Sequence, residues 1–299
     1  RMKARGIMMV RPARFGFNPQ TAASNSFQHP SDADVHSDAC SEFDNAVQIL
    51  RNHSVLVEVF QDDRANPLPD SIFPNNWFST TAESELYLYP MLADNRRAER
   101  RENIIKELCS RYGYRTLHDF SAHENENRFL EGTGSIVFDH EQHIAFAAIS
   151  PRTDKNVLLE VCEKQGYLPF VFECADRNGK PVYHTNVITG IGKKIALFCF
   201  DAVVNPDDQS GIRNYFRKCG KTVVEISMEQ MEKFAGNVLF IEQPELQRTL
   251  TVISETAWNS LLPEQKSLIE SMTLPVVIPV PVIEHHGGGS IRCMLAELY

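Results

Sequence analysis

The sequence predicts an α/β fold, a five-bladed α/β propeller made of pseudo-fivefold strand–strand–helix–strand repeats. Three observations predict it: a tip motif at near-constant spacing, the same order of elements after each tip, and two chain ends that together supply one unit. Each tip is a small or turn-forming residue followed at once by a β-prone run. The aligned tip positions are Asn76, Gly134, Asn186, Asn237 and Gly289. Subtraction gives spacings of 58, 52, 51 and 52 residues.

Two strands, a helix and a third strand follow the tips. The clearest strand pairs are predicted at 135–139 with 143–149, and at 187–191 with 195–200. Three of the helical patterns end at a glycine, a residue favoured directly after a helix. The helices are predicted at 94–112 before Gly113, 154–165 before Gly166, 207–219 before Gly220, and from Ser254 or Thr256 to Met272; the third strands are 167–173, 221–226 and 276–282.

The two ends of the chain complete the fifth unit. The N-terminal part offers a strand at 7–11, a helix at 34–52 and a strand at 55–60, and ten residues remain after Gly289 for one more strand. A ring closed by its own termini protects the edges that an open sheet exposes. We therefore expect a single domain over residues 1–299, with the tips converging on its axis. An open α/β sheet in two domains is the alternative, and the near-constant spacing favours the ring.

The composition indicates an ordinary apolar core and a negatively charged surface. Of the 299 residues, 42% are hydrophobic and 23% are charged, and the formal net charge is −9. No basic stripe stands out, which disfavours nucleic acid and anionic membranes as partners. The longest apolar stretch, 274–283, is too short to span a bilayer and contains three prolines. We therefore expect no nucleic-acid or membrane partner, and a small-molecule substrate.

The seven cysteines form an odd set with wide spacing and no CxxC motif. This pattern argues against a disulfide scaffold or a zinc site and favours a reducing cytoplasm. Cys293 differs from the rest, because it follows three glycines at 287–289 and lies beside Arg292. Glycines allow unusual backbone geometry, and a nearby cation favours the reactive thiolate. Taken alone, Cys293 fits a buried structural cysteine better than a nucleophile.

Two other tips carry side chains that complement a nucleophile. His184 begins His-Thr-Asn, and a histidine at a convergent tip is suited to proton transfer. Glu131 begins Glu-Gly-Thr-Gly after an apolar pair and could orient His184 or bind an N–H-rich substrate. Each residue alone has an ordinary structural interpretation. Together with Cys293 they supply a nucleophile, a proton carrier and an orienting carboxylate.

These segments resemble the guanidino-group-modifying superfamily, which includes arginine deiminase, dimethylargininase, agmatine deiminase and glycine amidinotransferase. Its members share a five-bladed ring, the pentein fold, so the resemblance covers nearly the whole chain. Glu131-Gly-Thr-Gly134 matches the family's Glu-Gly-Gly-Asp, and His184-Thr-Asn186 matches its His-x-Asp. Residues 287–293 match the glycine-rich run that ends in the nucleophile, and Ser150-Pro-Arg152-Thr153 matches Ser-x-Arg-Thr. Asn75-Asn76 matches, with changes, the family's Arg-Asp pair. Each match is weak alone, but five in order at the repeat spacing are specific.

The resemblance implies a role for each matching residue. The implied catalytic residues are Cys293, His184 and Glu131, and the implied substrate-binding residues are Arg152, Asn75, Asn76 and Asn186. It also implies a hydrolase of carbon–nitrogen bonds other than peptide bonds, acting on an amino acid without a metal or an organic cofactor. A homo-oligomer is compatible with it.

The departures from the family pattern bear on the substrate. This chain has Asn76, Asn186 and Gly134 where relatives have aspartates. A guanidinium is best bound by carboxylates, whereas a neutral ureido group also presents a carbonyl oxygen, and amides both donate and accept. We therefore expect a ureido amino acid, with citrulline giving ornithine, carbon dioxide and ammonia, as in citrulline-using hydrolases grouped with the amidinotransferase family. The alternative is a guanidinium bound through Glu131, as in arginine or methylarginine hydrolases.

The sequence is compatible with two further functions. One is amidino transfer to an amine instead of water, and the other is a non-catalytic ring that binds a small molecule or a partner. Retention of Cys293, His184 and Glu131 argues against the second. The polar loop 17–35 is long enough for a lid over the site, although a plain surface loop is the favoured interpretation.

Overall fold

The computed structural model describes residues 4–30 and 34–299. Within these ranges the strands form five three-stranded sheets, which fits a pseudo-fivefold repeat. The strands are β1 (Gly6–Arg11), β2 (Val57–Gln61), β3 (Phe78–Thr80), β4 (Glu85–Leu88), β5 (Thr116–Asp119), β6 (Val137–Asp139), β7 (Ile144–Ile149), β8 (Leu168–Glu173), β9 (Thr189–Ile191), β10 (Ile195–Phe198), β11 (Thr222–Glu225), β12 (Leu239–Gln243), β13 (Arg248–Ser254), β14 (Leu274–Ile278) and β15 (Ala296–Leu298).

All five sheets repeat one pairing pattern. The middle strand is antiparallel to one neighbour and parallel to the other, as in β3-β4-β5. The sheets β6-β7-β8, β9-β10-β11 and β12-β13-β14 follow the same rule. A parallel pair needs a crossover connection, and a helix supplies it in each unit. The predicted α/β class and the strand–strand–helix–strand order are confirmed.

The chain ends meet in one sheet, as predicted. Strand β15 is antiparallel to β1, with Gly6 opposite Leu298 and Met8 opposite Ala296. Strand β1 is in turn parallel to β2, so the first and last strands of the chain complete one sheet. The ten residues after Gly289 therefore contribute a single strand.

The helices begin and end largely where capping residues predict. Asp154 and Asn205 accept hydrogen bonds from the first turns of their helices, and Gly166 and Gly220 end the same two helices in the left-handed conformation. The helices of the described residues are α1 (His36–Asn52), α2 (Asp94–Arg97), α3 (Glu102–Tyr112), α4 (Gly132–Ser135), α5 (Lys155–Gln165), α6 (Pro206–Cys219), α7 (Met228–Glu232), α8 (Glu255–Ser260) and α9 (Pro263–Met272).

Two helices predicted as continuous are broken. The predicted helix 94–112 is interrupted between α2 and α3, and Arg96 in α2 and Glu99 just after it are both buried. The predicted helix to Met272 is divided into α8, which Ser254 caps, and α9, which begins at Pro263. Proline has no N–H and clashes within a helix interior, so it starts a new helix instead.

The tips are short helical turns rather than the first residues of strands. The prediction that strands begin at 135 and 187 is wrong, because α4 and a turn at Thr185–Val187 precede β6 and β9. Similar turns lie at Pro74–Asn76 and Ile291–Met294. The turn at Pro74–Asn76 contacts both α4 and Ile291–Met294, and α4 also contacts Thr185–Val187. These four tips therefore lie together, although they are far apart in sequence.

The core of the described residues consists of four apolar clusters packed against these sheets. Its largest buried side chains include Trp77, Tyr87, Phe43, Phe146 and Phe198. None of the helices in the described ranges combines the length and the apolarity that a membrane crossing requires.

Candidate active site

His184 and Glu131 form a buried pair at the centre of the tips. Nε2 of His184 lies 2.7 Å from Oε1 of Glu131, and the two side chains are 3% and 1% exposed. The other carboxylate oxygen of Glu131 accepts a hydrogen bond from the backbone N–H of Leu92 at 3.0 Å. The carboxylate orients the imidazole, so that Nε2 carries the donated hydrogen and Nδ1 is left as the free nitrogen.

The charge states of the pair follow from their surroundings. Burial opposes ionisation of Glu131, but Arg152 and His184 outweigh it and lower the pKa of Glu131 to about 2. Burial also disfavours an imidazolium, and it lowers the pKa of His184 to about 4 against the pull of Glu131. Glu131 is therefore an anion and His184 a neutral base near pH 7.

Glycine is required where α4 meets the two neighbouring tips. A Cβ atom on Gly134 would lie 2.5 Å from Nδ2 of Asn76 and 2.8 Å from Nδ1 of His184. Gly132 has φ +51°, and a Cβ atom there would lie 2.2 Å from the backbone oxygen of Asn75. The family aspartate that Gly134 replaces could not fit into this arrangement.

Cys293 lies in the same buried cluster, but its sulfur is bound by amides. Sγ is 3.3 Å from Nδ2 of Asn237 and 3.6 Å from Nδ2 of Asn186. The cysteine is 6% exposed. No hydrogen bond between His184 and Cys293 is found in the described part of the chain. Asn237 was predicted as a tip but was given no chemical role, although its place in the repeat was a usable signal.

A buried arginine holds Asn76 and Asn75 in fixed orientations. Arg96 forms a two-bond ion pair with Glu99, at 2.9 and 3.0 Å. Nη1 of Arg96 donates to Oδ1 of Asn76 at 2.7 Å, and Nδ2 of Asn76 donates to Oδ1 of Asn75 at 3.0 Å. Arg96 and Glu99 were not predicted from the sequence, because both fall within an ordinary helical pattern.

Four polar atoms near these tips have no hydrogen-bond partner among the described residues. They belong to Asp70 (Oδ1), Ser71 (Oγ), Asn75 (Nδ2) and Asn186 (Oδ1). Buried polar groups are nearly always paired in folded proteins. A cluster of unpaired ones therefore indicates a place for a polar ligand. Asp70 and Ser71 were not predicted from the sequence.

Arg152, which the sequence predicts as a substrate-binding residue, lies beside this cluster. Nη1 of Arg152 is 3.5 Å from Oε1 of Glu131, and its guanidinium lies over the ring of Tyr183 at 4.8 Å. Asp70 and Arg152 also interact electrostatically. A carboxylate and a guanidinium side by side are suited to the ammonium and carboxylate groups of an amino acid.

Part of the polar loop 17–35 contacts the site. Nε of Arg152 donates to Oγ of Ser24 at 2.8 Å, and Nδ2 of Asn18 donates to Oδ2 of Asp70 at 2.9 Å. Nδ2 of Asn25 donates to the backbone oxygen of Gly288 at 3.2 Å. Residues 31–33 of the predicted loop lie outside the described residues.

A cavity of about 510 Å³ lies to one side of these groups. Its lining includes Asp139, Arg292, Glu297 and Tyr299, and neither His184 nor Cys293 belongs to it. Among the described residues, no group of three or more histidine, cysteine, aspartate or glutamate side chains is arranged to hold a metal ion.

The fold fits the guanidino-group-modifying pentein superfamily, and a family match shows that the chain belongs to it. Residues 11–299 match the model of a family described as N,N dimethylarginine dimethylhydrolase, eukaryotic, and the chain belongs to this family. It is accordingly a hydrolase that acts on carbon–nitrogen bonds other than peptide bonds. No curated protein sequence matches the chain significantly.

Solved structures with low sequence identity share the fold. The N-terminal domain of ArgZ, a cyanobacterial arginine dihydrolase bound to substrate, has a TM-score of 0.74 at 14% identity and covers 98% of this chain and 97% of its own. A dimethylarginine dimethylaminohydrolase adduct with S-methyl-L-thiocitrulline has a TM-score of 0.68 at 16% identity, covering 99% and 100%. A DDAH from Pseudomonas aeruginosa complexed with citrulline has a TM-score of 0.69 at 16% identity, with the same coverage.

Proposed function

We propose that the chain hydrolyses the ureido C–N bond of citrulline through a covalent intermediate on Cys293. The main support for a ureido substrate is a pair of unpaired amide atoms, one a hydrogen-bond donor and the other an acceptor. Asn75 presents a free donor, Nδ2, and Asn186 presents a free acceptor, Oδ1. A ureido group offers a carbonyl oxygen to the donor and an N–H to the acceptor.

The polarity of Asn75 is fixed by its neighbours. Arginine can only donate, so Arg96 requires Oδ1 of Asn76 to face it. Nδ2 of Asn76 must then face Oδ1 of Asn75, which leaves Nδ2 of Asn75 directed elsewhere. If the amide of Asn76 were turned over, its Nδ2 would face Nη1 of Arg96. If the amide of Asn75 were turned over, its Nδ2 would face Nδ2 of Asn76, and in both cases two donors would meet. The donor on Asn75 is therefore a built-in feature of the site.

A guanidinium is a poor match for this arrangement. It has only donors, and it would leave Nδ2 of Asn75 without an acceptor, at a cost of about 1–3 kcal/mol for a buried group. Glu131 is also less available to bind it, because each of its two oxygens already accepts a hydrogen bond, from His184 and from the backbone of Leu92. The alternative of a guanidinium held by Glu131 alone is therefore disfavoured.

The remaining groups suit the amino-acid end of the substrate. We assign the carboxylate of citrulline to Arg152 and its ammonium to Oδ1 of Asp70, which has no partner among the described residues. In this structure Ser24 of the loop accepts a hydrogen bond from Arg152. Binding of substrate then requires Ser24 to share or release this arginine.

The proposed reaction has two steps. Sγ of Cys293 attacks the ureido carbon while Nδ1 of His184 takes the thiol proton, and the donor on Asn75 stabilises the developing oxyanion. His184 passes this proton to the departing amine, and the C–N bond breaks to release ornithine and leave a carbamoyl group on sulfur. His184 then takes a proton from water, and the resulting hydroxide attacks the carbamoyl carbon and breaks its bond to Sγ. The thiolate of Cys293 leaves and regains a proton from His184, and the carbamic acid that is released decomposes to carbon dioxide and ammonia.

Closure of the five sheets into one ring, as a single domain over residues 1–299, is also proposed. Contacts between β15 and β3, between β6 and β9, and between β9 and β12 support it. All seven cysteines are free, which supports a reducing compartment such as the cytoplasm. A homo-oligomer remains a proposal that gel filtration with light scattering can test.

The function is tested by product analysis with citrulline, with and without an added acceptor amine. We expect equimolar ornithine and ammonia without any acceptor, and loss of both in Cys293→Ala. Ornithine release that depends on the amine would instead identify a transferase. Full turnover by folded Cys293→Ala would exclude the covalent route.

A further inference from the structure

The side-chain amide of Asn237 contacts the sulfur of Cys293 with both of its polar atoms. Nδ2 lies 3.3 Å from Sγ, and Oδ1 lies 3.7 Å from it. Asn237 is 1% exposed, so this contact is shielded from water. A thiol can donate to Oδ1 and a thiolate can accept from Nδ2, so the one amide serves both forms of the sulfur.

The orientation of this amide is set by backbone groups. The N–H of Arg292 donates to Oδ1 at 3.1 Å, and Nδ2 donates to the backbone oxygen of Asn186 at 3.1 Å. A backbone N–H is always a donor and a backbone oxygen is always an acceptor. The amide is therefore fixed with its second N–H hydrogen available to Sγ.

Few charges are available to stabilise a thiolate at this position. His184 is neutral and bound to Glu131, and burial raises the pKa of Tyr183 far above neutrality, so its phenol is uncharged. The guanidinium of Arg292 points away, to the backbone oxygen of Leu295 and to Glu297. The other charged groups of the cluster are paired with one another: Arg96 with Glu99 and Asp70, and Arg152 with Glu131.

We propose that Asn237 is a further catalytic residue, which stabilises the thiolate of Cys293 by an amide hydrogen bond and holds Sγ in place for attack. The proposal rests on Cys293 being the nucleophile of the proposed function. Asn186, at 3.6 Å, supplies a second and longer contact. A preoriented donor is effective here because hydrogen bonds to charged groups in a dry site are strong.

The test is the pH dependence of alkylation of Cys293 by iodoacetamide, followed by mass spectrometry of the peptide that carries it. This readout requires no substrate, so it is independent of whether citrulline is turned over. Asn237→Asp keeps the shape and the bond from Arg292 but replaces the donor with a negative charge. We expect the alkylation midpoint to rise by about 1–3 pH units, as for a like charge within a few ångströms.

Asn237→Ala removes the donor without adding charge and should raise the midpoint by a smaller amount. Asn205→Asp is the matched control, because Asn205 is an exposed helix cap that an aspartate can replace. A midpoint equal to that of the wild type in folded Asn237→Asp would overturn the proposal. If the aspartate variant does not fold, an unshifted midpoint in Asn237→Ala would overturn it in the same way.

Discussion

Nε2 of His184 donates a hydrogen bond to Oε1 of Glu131 over 2.7 Å, in a setting where both side chains are almost completely buried. This single contact fixes the tautomer of the imidazole and leaves Nδ1 toward Gly134 and Asn76. The role of His184 as a proton carrier therefore depends on a carboxylate that does not itself need to touch the substrate.

Removing the charge of Glu131 should disable the histidine while preserving the shape of the site. Glu131→Gln is expected to lower kcat by about 10²–10⁴, because an unoriented base loses most of its contribution. It should also lower the free energy of unfolding by about 3 kcal/mol, because Arg152 loses its buried partner. Steady-state kinetics and urea unfolding measure the two effects. Glu141→Gln, an exposed change, is the control, and equal kcat in both variants would contradict this role.

The buried pair should make the protein less stable in mild acid. The pKa of His184 is lowered from 6.5 to about 4 in the folded state, so below pH 6.5 the unfolded chain binds a proton that the folded chain does not. Stability should thus fall as the pH drops from 6.5 toward 4. Glu131, whose pKa is lowered from 4.5 to about 2, should extend the loss below pH 4.5.

Urea unfolding between pH 7 and pH 5 measures the contribution of His184 before Glu131 begins to titrate. His184→Asn should flatten the pH dependence in this window, by on the order of 1–2 kcal/mol. His143→Asn, at an exposed position with positive φ that asparagine tolerates, should leave it unchanged. A slope in His184→Asn as steep as in the wild type would contradict burial of a neutral imidazole.

A single change of polarity at Asn75 should shift the substrate preference. Asn75→Asp converts the free donor into an acceptor but can still accept from Nδ2 of Asn76. We expect kcat/KM for citrulline to fall by about ten-fold or more, since a lost hydrogen bond costs about 1–3 kcal/mol. The ratio of arginine to citrulline turnover should rise. An unchanged ratio would show that Asn75 does not select the head group, and Asn205→Asp again controls for added charge.

The close approach of three tips at Gly134 should not tolerate a methyl group. Gly134→Ala places Cβ within 3 Å of Asn76 and His184, and overpacking of this kind costs about 1–3 kcal/mol. We expect activity to fall more than stability, because the displaced side chains belong to the site. Gly16→Ala is the control, because no atom lies within 4 Å of a Cβ there. Thermal unfolding and citrulline turnover of both variants provide the comparison.

Much of the fold could be predicted because local signals repeat. Gly166 and Gly220 mark helix ends by their left-handed geometry, and the constant spacing of the tips placed Glu131, His184 and Cys293 on equivalent turns. These signals depend on backbone geometry, which short stretches of sequence express directly.

The parts that were missed depend on contacts between distant segments. Arg96 and Glu99 look like any charged pair on a helix, yet both are buried and Arg96 binds Asn76. Asp70 precedes a tip without belonging to a motif, so nothing local distinguishes it. Asn237 had the right spacing, but its contact with Cys293 depends on how neighbouring tips pack.

The most direct test of the central claim is the ratio of kcat/KM for citrulline to kcat/KM for arginine in the wild-type protein. The fixed donor on Asn75 and the existing hydrogen bonds of Glu131 predict that citrulline is preferred by at least about ten-fold. This ratio corresponds to the free-energy cost of leaving one buried polar group without a partner. A ratio near one, or a preference for arginine or a methylarginine, would contradict the assignment of a ureido substrate.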